Sequence, residues 1–126
     1  MYMNKIVFLD EYSIAGRDIS KISSQGDYIA YDNSRREEVI ERLKGANIAI
    51  TNKVVIDGDA MRQLPELKLI CIAATGMNNV DLNTAAELGI EVRNAVGYST
   101  SSVAETTLAS ALALARNIVY FDEYFH

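Results

Sequence analysis

Three short segments combine residue types that could bind or transform a small molecule. In Ala73-Ala74-Thr75-Gly76 a glycine follows the strongest apolar run of the chain. A glycine there lets backbone approach a ligand and turn amides outward, and two outward amides suit a small carboxylate. The same four residues also serve as a tight turn into the next helix, and one glycine does not separate the two readings. In Gly97-Tyr98-Ser99-Thr100-Ser101-Ser102, hydroxyls precede a helix start, where free amides and the helix dipole favour an anion. Ser102 and Glu105 have capping-box spacing, so Glu105 reads as a cap and not as a catalyst, and Ser99 and Thr100 remain free to face a ligand. Lys53, in Thr51-Asn52-Lys53, either pairs with an acidic ligand or is simply solvated.

Composition narrows the chemistry. The chain has 126 residues, one cysteine and one histidine, too few for a His/Cys metal cluster, and His126 is a poor candidate for a Ser–His–Asp set. Its seven glycines form neither Gly-x-Gly-x-x-Gly nor a phosphate loop ending in Gly-Lys-Ser/Thr. The net charge is −5 with basic residues scattered among acids, which argues against nucleic acid and anionic membrane as partners. Uncharged stretches reach about ten residues, whereas a spanning helix needs about 20. Lys5, Asp10 and Glu11 interrupt the first apolar run, so no signal peptide is read, and the lone Cys71 suits a reducing compartment. The expectation is a cytoplasmic protein without metal, with Cys71 an inert core residue.

The elements that would position these segments alternate. Apolar runs at Ile6–Leu9, Tyr28–Tyr31, Ile48–Ile50, Leu67–Ala74 and Ile90–Val92 read as strands, continuous enough to be covered on both faces. Between them, Ser34 with Glu37 predicts a capping box and Gly45 a helix stop. Asp59 is expected to cap a short helix ending before Pro65, and Asp81 to cap Leu82–Leu88 with Gly89 as its stop. A short helix is expected within Arg17–Ser24. A long Ala/Leu-rich helix is expected from Ser102 to about Tyr120, apolar all round and so packed on a second domain or subunit, as the aromatic tail Tyr120–Phe125 would be. The fold class is α/β, a doubly wound parallel sheet of five strands in flavodoxin-like order, with ligands beyond the carboxyl ends of the strands.

The stretches Leu69–Leu82, Ala85–Asn94 and Gly97–Glu105 resemble the D-isomer-specific 2-hydroxyacid dehydrogenases, and Ala-Thr-Gly-Met-Asn-Asn-Val-Asp, Gly-Tyr-Ser-Thr and Thr51-Asn52-Lys53 resemble the glycerate dehydrogenase (hydroxypyruvate reductase) branch. The resemblance is strong from about Ile48 to Arg116, while the first 45 residues match mainly in pattern. It implies an NAD-dependent oxidoreductase of two domains. Residues 1–101 would be the flavodoxin-like substrate domain and 102–126 the interdomain and dimerisation helix with its tail. The Rossmann NAD domain, with the catalytic Arg, Glu and His, would lie outside this chain, so no catalytic residue is expected here and the chain alone should be inactive. Thr75, Gly76, Ser99 and Lys53 would contact a small 2-hydroxy or 2-oxo acid, and Thr100 the cofactor. A homodimer is implied. Other uses of the scaffold are a non-catalytic acid-binding module or a corepressor-like interaction module. A phosphoacceptor receiver fits poorly, because Thr51-Asn52 and Arg93-Asn94 stand where it needs Asp and Lys.

Overall fold

A computed structural model describes residues 4–14, 17–95, 108–109 and 111–112 of the chain. Five parallel strands form one sheet: β1 (Asn4–Phe8), β2 (Gly26–Ala30), β3 (Ile48–Thr51), β4 (Leu69–Ile72) and β5 (Glu91–Asn94). Their order is β2-β1-β3-β4-β5, the flavodoxin-like order expected from the alternation of apolar runs and helical segments. Ile6 pairs with Ile48, and Ile48 with Leu69, so the central strands run in near register and their carboxyl ends open on one edge. β3 and β4 are buried at every position, which explains why they read as unbroken apolar runs.

Successive side chains point to opposite faces. Val7, Leu9, Ala49, Ile70 and Ile72 pack with residues of α2 (Val39–Leu43), α3 (Gly58–Arg62) and α4 (Leu82–Leu88). Ile6, Phe8, Ile48, Ile50, Leu69 and Cys71 pack on the other face with Ile22 of α1 (Ser20–Ser23) and with Leu108, Ala111 and Leu112. The sheet is thus wound on both sides. Of the expected long helix, residues 108–109 and 111–112 are helical, and the rest lies outside the described residues, as does the aromatic tail. At Ala111 the helix packs on this domain's own sheet.

Two helix starts differ from expectation. The reciprocal bond at the second crossover runs from the Arg35 N–H to the Glu38 carboxylate at 2.8 Å, one residue beyond the expected Ser34–Glu37 pair. Ser34 is buried and its hydroxyl is already engaged, donating to the Leu9 carbonyl at 2.8 Å and accepting from Arg42. At α3 the cap is Asp57, not Asp59: its carboxylate accepts from the Ala60 N–H at 2.8 Å, while Asp59 lies inside the first turn. Asp81 caps α4 by accepting from the Thr84 N–H, and Gly89 ends it at φ +71°, both as expected. Gly45 follows α2 at φ +78°.

Candidate functional site

The site grows from the loops after β3 and β4. Thr51 ends β3 fully buried, and its hydroxyl donates to the Val54 carbonyl at 3.0 Å, folding the chain back at once. Asp10, just beyond β1, is also buried, and its two carboxylate oxygens accept the Asn52 and Lys53 backbone N–H groups at 2.8 Å each. Asn79, from the loop after β4, donates its side-chain amide to the Val54 carbonyl at 3.1 Å and, more weakly, to that of Asn52 at 3.4 Å. A parallel bridge between Ile56 and Val80 joins the two loops, with the Ile56 N–H donating to the Asn79 carbonyl at 2.9 Å. Each loop is therefore held by the other and by a neighbouring strand.

Between them lies a groove of about 400 Å3, lined by Asn52, Lys53, Val55, Ala74, Gly76, Asn78 and Asn79. Lys53 is the one charged residue in this lining; its side chain is exposed and makes no ion pair among the described residues. Just after β4, the Thr75 and Gly76 N–H groups find no acceptor among the described residues. The Thr75 carbonyl accepts from the Asn94 side chain, at the end of β5, at 2.7 Å. The peptide is trans, so the Gly76 N–H points opposite to that carbonyl, away from the Asn94 side chain. A cation and an unpaired amide thus belong to one groove with no acid in its lining, a combination that suits a small carboxylate.

Lys53 and Gly76, two residues singled out in the sequence, thus line one groove. Thr75 is exposed between two lining residues and does not line the groove itself. Ser99 and Thr100 lie outside the described residues. The fold does not itself require glycine at position 76: it lacks a positive φ, and an added Cβ would meet only the Asn78 side-chain oxygen, at 3.4 Å. Sequence reasoning gave Asp10 no part in the site, and Asn79 and Asn94 entered it only as members of the stretches Leu69–Leu82 and Ala85–Asn94, without a role of their own. An acid directly after Ile-Val-Phe-Leu is the available signal for Asp10; its partners stand more than forty positions away and leave no local trace. Burial pushes the Cys71 thiol up to about 12, consistent with an inert core residue.

Compared with known proteins, residues 6–120 match the model of the family described as D-isomer specific 2-hydroxyacid dehydrogenase, catalytic domain. The chain belongs to that family. A glycerate dehydrogenase of Methylorubrum extorquens is 40% identical over 116 residues, which cover 91% of this chain and 37% of the relative. A hydroxypyruvate reductase of Blautia hydrogenotrophica is 34% identical over 127 residues, covering 97% of this chain and 39% of the relative. Among solved structures, an acyclic imino acid reductase in complex with NADPH and D-Arg aligns with a TM-score of 0.66 at 29% identity, over 94% of this chain and 39% of that one. The chain therefore spans well under half the length of these dehydrogenase and reductase relatives. Among its described residues, no three or more His, Cys, Asp or Glu side chains gather to hold a metal ion, and no helix is long and apolar enough to cross a membrane.

Proposed function

We propose that this catalytic-domain chain is the acid-binding part of an NAD(H)-dependent D-2-hydroxyacid dehydrogenase acting on glycerate and hydroxypyruvate. The observation that carries the reading is the groove itself, which Lys53 and Gly76, whose amide is unpaired among the described residues, both line. Charge favours an unphosphorylated acid. A phosphate group adds about −1.5 to −2 to the carboxylate's charge, and the described lining offers one cation to meet it. The names of the two curated relatives described above point the same way.

The described residues do not fit a dinucleotide. The groove has no glycine-rich phosphate turn, and its one cation is at the carboxylate position. The cofactor, NAD(H) on family grounds, would supply the hydride from another part of the protein, with Thr100 as this chain's contact to it. The chain's own task is orientation. The Lys53 ammonium and the Thr75 and Gly76 amides hold the carboxylate, joined by Ser99 from the 97–102 segment, so that the adjacent carbon is presented in one geometry. The residues up to 101 would form this substrate domain and those from 102 the junction and dimer contact, in a cytoplasmic homodimer.

The test is NADH oxidation by the protein that carries this chain, with hydroxypyruvate, glyoxylate and 3-phosphohydroxypyruvate compared at equal concentration. Hydroxypyruvate is expected to give the highest kcat/KM. A preference for the phosphorylated acid would overturn the assignment of substrate.

A further inference from the structure

We infer that Asp10 is a positioning residue for the acid-binding groove, acting through Lys53. The inference rests on the groove's assignment to a small carboxylate. Asp10 lies outside the groove lining and is 4% exposed, so it is not a ligand contact. Burying a carboxylate is costly unless its charge is met by hydrogen bonds. Here it is met by two consecutive backbone amides, Asn52 and Lys53, at 2.8 Å each. A carboxylate beside Lys53 would ordinarily draw in its ammonium and neutralise it. With both oxygens accepting from amides, the Asp10 carboxylate forms no ion pair with the ammonium, whose side chain is exposed and in no ion pair among the described residues. Asp10 thus fixes the backbone from which Lys53 springs and leaves its charge for a ligand. Asn79 pins the carbonyls of the same loop, so the removal of Asp10 frees the amide side alone.

A neutral side chain at this position offers a single acceptor oxygen, so one of the two amides is released and the Lys53 wall loosens. The experiment is titration of the 15N-labelled chain with sodium D-glycerate, following the Thr75, Gly76 and Lys53 amide signals. In the native chain these signals shift together. In Asp10→Asn the dissociation constant is expected to rise about tenfold, while Lys53→Met with Asp10→Asn binds no more weakly than Lys53→Met alone. Loss of stability without a role at the groove would leave the dissociation constant of the folded variant unchanged. That result, or additive effects of the two substitutions, overturns the inference. A native chain whose signals ignore D-glycerate overturns the groove's assignment instead. Where Asp10→Asn does not fold, the smaller Asp10→Ser carries the same comparison, since it too retains one acceptor.

Discussion

Lys53 and Gly76 line one groove for different physical reasons, and the difference makes their substitutions separable. The lysine contributes a charge that nothing else in the described groove supplies, and a hydrogen bond to a charged group is worth about 1.5–3 kcal/mol. Lys53→Met is therefore expected to raise KM for the 2-oxo acid by roughly ten- to a hundredfold, with the melting temperature little changed because the side chain is exposed. Steady-state kinetics at two substrate concentrations decades apart would show it; an unchanged KM would remove Lys53 from the site. Gly76 acts by absence. A methyl group there meets only the Asn78 side chain, at 3.4 Å. Gly76→Ala should thus alter stability by no more than about 0.5 kcal/mol, yet weaken acid binding, because the methyl intrudes on the lining. If binding survives intact, the ligand does not approach this backbone. Cys71 is the internal control: with its thiol pushed up to about 12 by burial, it should resist iodoacetamide at pH 8 until denaturant is added.

Helix starts show which local signals survive in a folded chain. Asp81 and Gly89 are legible in the sequence because the bonds that bound α4 are local, from the Thr84 N–H to the Asp81 carboxylate and from the Gly89 N–H to the Ala86 carbonyl. Asp59, the expected cap, and Asp57, two positions earlier, are the same residue type and locally equivalent. The bridge from Ile56 to Val80 decides between them, since it keeps the chain extended through residue 56 and lets the helix begin at Gly58. Ser34 lost its cap role to a tertiary bond with the Leu9 carbonyl, 25 positions away, which no local pattern carries. Both true caps have titration consequences. The Ala60 N–H, then Arg36, holds the Asp57 carboxyl below its ordinary range, and the Thr84 N–H and hydroxyl do so for Asp81. A depressed folded pKa gives stability that is complete above the unfolded value, about 4, and is lost as pH falls through the folded one. Thermal unfolding measured from pH 6 down to pH 2 should show a fall that is shallower in Asp57→Asn/Asp81→Asn. At pH 7, Asp57→Ala should cost about 1 kcal/mol, read from urea unfolding.

At the scale of the whole molecule, the sheet explains why the fold was easier to read than the site. Strands buried on both faces must be apolar at nearly every position, so β3 and β4 announce themselves, and five runs joined by helical segments leave few topologies. The groove offers no such redundancy. Its lining comes from two loops, and the residues that hold those loops, Asp10 just beyond β1 and Asn94 at the end of β5, belong to the ends of the strands on either side of β3 and β4. Only folding brings them together. The same logic assigns a structural task to the segment at 108–112. Ile6, Phe8, Ile50 and Cys71 form a face that α1, four residues long, is too short to cover. Ala111 packs into that face at 1% exposure, whereas Ala109 of the same helix is exposed. Ala111→Asp places an unpaired carboxylate on the apolar sheet and is expected to cost about 3–5 kcal/mol, a large share of the roughly 5–15 kcal/mol that holds a domain folded. Ala109→Asp, with the same change of charge and helix propensity, should stay within about 0.5 kcal/mol of the native chain. Parallel urea titrations would show two midpoints far apart if this segment closes the second face of the sheet, and two coincident ones if the sheet is stable without it.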